Sequence, residues 1–178
     1  SLALEQFGFN IDDEPVKSWT PEKFAVYYCR KLNFKESPLK GKIKLAPKFD
    51  DELFQNRNEP DFIISTATIV DGILSLISNN PKRDRVEMGQ ASIFKGRSRS
   101  LLKDIRDSSP LRDLFINNED EKIFEIIKEY FLQVKLILWS NTKGNSYIIK
   151  TVGIQALFDL LRKILQENKY PYYIDFDQ

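Results

Sequence analysis

The chain has 178 residues, enough for one domain with its own core, and is 42% apolar and 30% charged, a composition that excludes a disordered or membrane-embedded chain. Lys and Arg total 27 against 26 Asp and Glu, so the net charge of +1 points to no partner. The absence of histidine removes Ser-His-Asp and Cys-His catalysis and His-ligated zinc, and the single cysteine, Cys29, removes internal disulfides and every CxxC motif.

Residues 1–19 are acidic, carry Gly8 and Pro15 and keep no period, so they read as an extended lead-in or a severed linker. They lack a basic n-region and a long apolar stretch, so no signal peptide is expected there, and the expected compartment is the cytoplasm. Thr20-Pro21 opens a helix, with Thr as N-cap and Pro at N1, running to about Asn33 through Phe24, Tyr27, Tyr28 and Leu32. Cys29, in an apolar setting, reads as buried and reduced. Ser37-Pro38 breaks the helix, and the alternation from Lys42 to Leu45 suits a short strand ended by Pro47. After a polar loop at 56–60 come a brief β-type run over Phe62, Ile63 and Ile64, and then a helix capped by Ser65 or Thr66 and carrying Ile69, Val70, Ile73, Leu74 and Ile77. Residues 81–100 have few large apolar groups and are expected to be a long loop, with a hairpin or partial disorder as options; with a helical turn near Leu101 to Ile105 they make up a basic loop over 81–106. Ser108-Ser109-Pro110 opens a short helical segment. Asn118 and Glu121 form a capping-box-like pair ahead of the strongest helix, whose stripe is Ile123, Ile127, Tyr130, Val134 and Ile137. A turn holding Gly144, a short strand at Tyr147 to Ile149, and a helix from Thr151 to about Glu167 follow. The expected fold is α+β and predominantly α-helical, with four main helices and a few short β-strands. A single helix-rich domain spans 20–170, and 171–178 form an aromatic, acidic tail. No run is long enough to span a membrane.

The charge distribution is uneven. Lys82, Arg83, Arg85, Lys95, Arg97, Arg99, Lys103 and Arg106 stand against Asp84, Glu87 and Asp104, giving +5 locally and leaving −4 for the remainder. Gathered on one loop, these eight residues form a candidate nucleic-acid-binding surface whose affinity would fall with salt through counterion release. Arg97 and Arg99 alternate across Ser98 and would share one side of an extended loop, which makes them the first choice for contact. Lys40, Lys42 and Lys44 would line one face of the first strand, either extending that surface or guarding a sheet edge. No metal site is expected: Asp50, Asp51 and Glu52 are contiguous without a turn architecture, and Glu119 to Glu121 suit a helix start. No phosphate-loop, dinucleotide or nucleophile-elbow motif occurs, so no cofactor is expected and no catalytic residue stands out. Thr151-Val152-Gly153 reads as close packing at a tight junction, ahead of an anion site. Tyr27, Tyr28, Phe131 and Trp139 read as core.

Three segments, Phe24 to Leu45, Phe62 to Ile77, and the pair Ile123 to Trp139 with Asn145 to Leu165, carry a resemblance in their order. The phrase formed by Lys150, Thr151, Gly153, Ile154, Ala156 and Leu157 contributes most. Together they resemble the C-terminal part of DGQHR-domain proteins, the group that includes the DndB-like proteins of bacterial DNA phosphorothioate modification. The Asp-Gly-Gln-His-Arg motif itself is absent, so the resemblance implies the downstream, helix-rich half of such a protein and carries no catalytic residue onto this chain. It implies a DNA-associated or regulatory module linked to DNA modification or phage defence, with the upstream half of the parent protein as a partner. Two alternatives stay open: a structural or dimerising half without nucleic-acid contact, and part of a nucleotide-dependent or nuclease-like enzyme completed by the upstream half.

Overall fold

A computed structural model describes residues 18–45, 63–90, 96–141 and 147–168. Thr20 caps the first helix, α1 (Pro21–Phe34), its hydroxyl accepting from the Lys23 amide at 3.3 Å with Pro21 at the start. The spacing of Phe24, Ala25, Tyr28, Cys29 and Leu32 turns all five inward. Beyond α1 the chain reverses through Gly41, whose φ of 70° suits a residue without Cβ, and enters β1 (Ile43–Lys44). The Asn33 side chain takes the place of a neighbouring strand: its Nδ2 donates to the Ile43 carbonyl and its Oδ1 accepts from the Ile43 amide, each at 3.1 Å. On the other side β1 pairs in parallel with β2 (Ile64–Ser65), Ile43 opposite Ile64 and Lys44 opposite Ser65. The isoleucines point into the core, and Lys44 and Ser65 point outward.

Ser65 ends β2 and caps α2 (Thr66–Ile77), accepting from the Thr68 amide at 3.1 Å. This apolar helix lies between α1 and the last helix, α6 (Thr151–Glu167). Gly72 lets α2 and α6 approach closely: a Cβ there would overlap the ring of Phe158. Next come α3 (Pro81–Gln90), a 3-10 turn at Arg99–Leu102, the short α4 (Arg112–Ile116) and the long α5 (Asp120–Ile137). The aromatic side chains of α5 join it to its neighbours. Tyr130 Oη donates to the Leu157 carbonyl at 2.8 Å, Phe131 meets Phe158 with ring centres 5.2 Å apart, and Phe124 meets Tyr28 at 5.8 Å. The fold is therefore α+β and predominantly helical, with six α-helices and one two-stranded sheet among the described residues.

Four expectations need correction. Residues 81–90 are helical where a loop was expected. Pro81 starts α3, Asn80 Oδ1 accepts from the Arg83 amide, and the buried groups that anchor it are Met88 and the carboxylate of Asp84. A helix held by a buried charge carries no apolar stripe for periodicity to find. Asn118 adopts φ 60° and makes no cap; α5 starts after Glu119, and the Glu121 carboxylate turns to Lys31 Nζ and Tyr28 Oη. Tyr147–Ile149 is a 3-10 turn and not a strand. Trp19, placed at the end of the lead-in, is a core residue and 3% exposed. Residues 1–17, the 56–60 loop, Asp50 to Glu52 and the tail from 171 lie outside the described residues.

Candidate nucleic-acid interface

The cations of the basic segment divide by environment. Arg99 is a correction to the surface reading: its side chain is fully buried. Nε donates to the Trp19 carbonyl at 3.1 Å and Nη1 to the Phe115 carbonyl at 3.1 Å. Nη1 and Nη2 also reach the two carboxylate oxygens of Asp120 at 2.5 and 3.2 Å. Its guanidinium lies over the Phe115 ring, 4.1 Å from the centre. The side chain is thus satisfied from inside, and Arg97 and Arg99 do not share a solvent face. Burial pushes the Asp120 carboxyl above its ordinary value, against the opposing hydrogen bonds from Arg99.

A second buried pair joins Asp84, inside the segment, to Arg112, which lies outside it. Arg112 donates to both oxygens of Asp84 and to the Ile77 carbonyl, and Ser78 Oγ donates to Asp84 at 2.6 Å. Asp84 is fully buried and Arg112 is 4% exposed. Arg99 and Arg112 thus pin both ends of the 99–112 stretch to the core.

The other cations lie further out. Arg83 is half-buried and reaches Asp84 and Asp107 at 3.3 and 3.4 Å, and Arg85 reaches Glu22 at 3.8 Å. Lys82, Arg97, Lys103 and Arg106 are exposed and have no carboxylate partner among the described residues. Lys95 lies outside the described residues. The start of α3 and the 103–109 stretch are joined by Arg83 on Asp107 and by the Asn79 amide, which donates to Asp107 at 2.9 Å. This juncture places Lys82 beside the strand of chain that carries Lys103 and Arg106. Lys40, in the turn ahead of β1, and Lys44, on β1, are exposed as well.

Asp107 organises this juncture. Burial alone would raise its carboxyl, but hydrogen bonds from Ser109 and from the Asn79 and Ser109 amides, with Arg112 nearby, hold it below the usual Asp range. A carboxyl lowered on folding contributes stability above its unfolded value of about 3.9, and that contribution is lost as pH falls through the lower folded value. The gap in urea midpoint between wild type and Asp107→Asn is therefore expected to be widest near neutral pH and to shrink below about pH 4. A gap that does not change with pH would show that the carboxylate charge is irrelevant.

Groups suited to covalent or metal chemistry are not assembled. Burial pushes the Cys29 thiol up to about 12 and the Tyr130 hydroxyl to about 12, so both stay protonated at neutral pH. Among the described residues no group of three or more Cys, Asp or Glu converges as a metal site, and no helix is long and apolar enough to cross a membrane. Tyr28, Phe131 and Trp139 are buried, and Tyr27 packs against Trp19 with ring centres 4.8 Å apart. None of these rings is a stacking platform for bases. Gly153 packs its Cα against the preceding turn, where a Cβ would lie 2.6 Å from the Ile148 backbone. No family model, curated protein or solved structure matches the chain.

Proposed function

We propose that the chain is a non-catalytic module that contacts the DNA backbone, and that it belongs to a bacterial DGQHR-type protein of a DNA-modification or phage-defence system. The family reading rests on the order of the three segments quoted above. The DNA reading rests on one observation: Lys82, Arg97, Lys103 and Arg106 remain exposed with no carboxylate partner among the described residues, while Asp84 and Asp107 are occupied internally. Exposed guanidinium and ammonium groups suit phosphates, which position a protein on DNA without reading base edges. Four phosphate contacts predict an affinity loss of about 100-fold between 50 and 200 mM salt. Fluorescence polarisation with a labelled duplex tests this. The triple variant Lys82→Gln, Arg97→Gln, Arg106→Gln is expected to flatten the salt dependence. Absence of binding at low salt, or binding unchanged by these substitutions, overturns the DNA reading.

One observation favours a second reading, a structural half that docks a partner. Val152 and Leu160 on α6, with Leu136 and Ile137 on α5, are 71%, 48%, 57% and 65% exposed. A stable dimer in sedimentation, lost on Leu160→Glu, would support it.

A further inference from the structure

Helix α6 contributes a cation to the basic surface that neither charge clustering nor chain position reveals. Arg162 stands between the buried residues Leu161 and Leu165, far in sequence from the other cations. Its Nη2 donates to Asn79 Oδ1 at 2.5 Å, at the corner between α2 and α3. Asn79 is itself tied to the 106–109 stretch, its amide donating to Asp107 and its Nδ2 to Ser108 Oγ at 2.9 Å. One turn further along α6, Gln166 Nε2 donates to the Ser108 carbonyl at 3.3 Å. Three separate parts of the chain therefore meet around Asn79, where Arg162 is attached.

The electrostatics of this corner are unbalanced. Its two carboxylates are already occupied. Asp84 receives Arg112, Arg83 and Ser78, and Asp107 receives Arg83 and the Asn79 and Ser109 amides. Arg162 is left with a neutral amide oxygen, no carboxylate partner among the described residues, and a shielded Nε that meets no acceptor. The planar guanidinium is held in one orientation by Asn79, and the start of α3 adds positive potential. Lys82, in the first turn of α3, and Arg106, next to Asp107, flank the corner and are exposed.

We propose that Arg162 is a phosphate-contacting residue and that it seats one internal phosphodiester, extending the DNA footprint from the 97–106 stretch onto α6. This rests on the DNA reading above, and the experiment separates the two. Binding of a labelled duplex is measured from 50 to 200 mM salt for wild type, Arg162→Gln, Arg162→Lys and Asn79→Ala, with melting temperatures recorded alongside. Loss of one phosphate contact predicts a log–log salt slope shallower by about 0.9 for Arg162→Gln, with Arg162→Lys close to wild type. Asn79→Ala removes the brace but keeps the charge, so its slope is expected to stay within about 0.3 of wild type, which guards against a loss due only to a loosened corner. A wild-type slope in Arg162→Gln overturns this inference and leaves the DNA reading intact, whereas a wild type that does not bind overturns both. An effect confined to duplexes carrying 5′-phosphates overturns the assignment to an internal diester.

Discussion

Replacement of Arg99 by Met is expected to destabilise the fold by about 3–5 kcal/mol, the scale for breaking a buried ion pair by removing one partner. The loss goes beyond one contact. Asp120, the Trp19 carbonyl and the Phe115 carbonyl all lose their donor together, and Asp120 is 6% exposed. A buried acceptor left without a partner retains its desolvation cost. The double variant Arg99→Met, Asp120→Leu removes charge and counter-charge together and is expected to recover much of the loss, since apolar replacement of a whole pair is often neutral. Urea denaturation of the two variants measures this directly. If the single variant loses less than about 1 kcal/mol, Arg99 is not the anchor that its contacts describe.

Gly153→Ala is expected to cost about 2–3 kcal/mol, against the usual preference of helices for alanine. The added Cβ meets backbone atoms: the Tyr147 carbonyl oxygen, with Ile148 C and Cα each 2.6 Å away. No rotamer change can relieve that overlap. The 3-10 turn would have to shift, and with it Ile149, which is 5% exposed. Gly89→Ala is the control. Nothing lies within 4 Å of a Cβ at Gly89 in α3, so alanine there is expected to stabilise by about 0.5–1 kcal/mol. Opposite signs for the two substitutions in thermal melts would separate close packing from propensity. Equal signs would contradict the packing account.

Elements announced by local chemistry were legible in the sequence. Thr20-Pro21 opens α1, Ser65 caps α2, and α6 runs from Thr151 to Glu167 as its apolar spacing predicts. The parallel pairing of β1 with β2 was not legible, because residues 45–63 separate them and neither strand is longer than two residues. The site was legible only in outline. Lys82, Lys103 and Arg106 are exposed cations as expected, but sequence cannot distinguish an arginine that faces solvent from one that meets an acid inside. Arg99 and Asp120 are 21 residues apart, Arg112 and Asp84 28, and both pairs read as ordinary surface charge until the fold brings them together. The same gap hid α3, whose inward face is largely ionic, and Arg162, which the spacing of α6 presents as one flank residue among others.

The amide of Asn33 gives the small sheet a direction of growth. Both hydrogen-bonding groups on the outer side of Ile43 are consumed by that one side chain, so no incoming strand can dock there without first displacing it. Any enlargement of the sheet must therefore proceed past β2, at Ile63, which is 50% exposed and precedes the cap that turns the backbone into α2. The border is one-sided, and a single polar side chain enforces it.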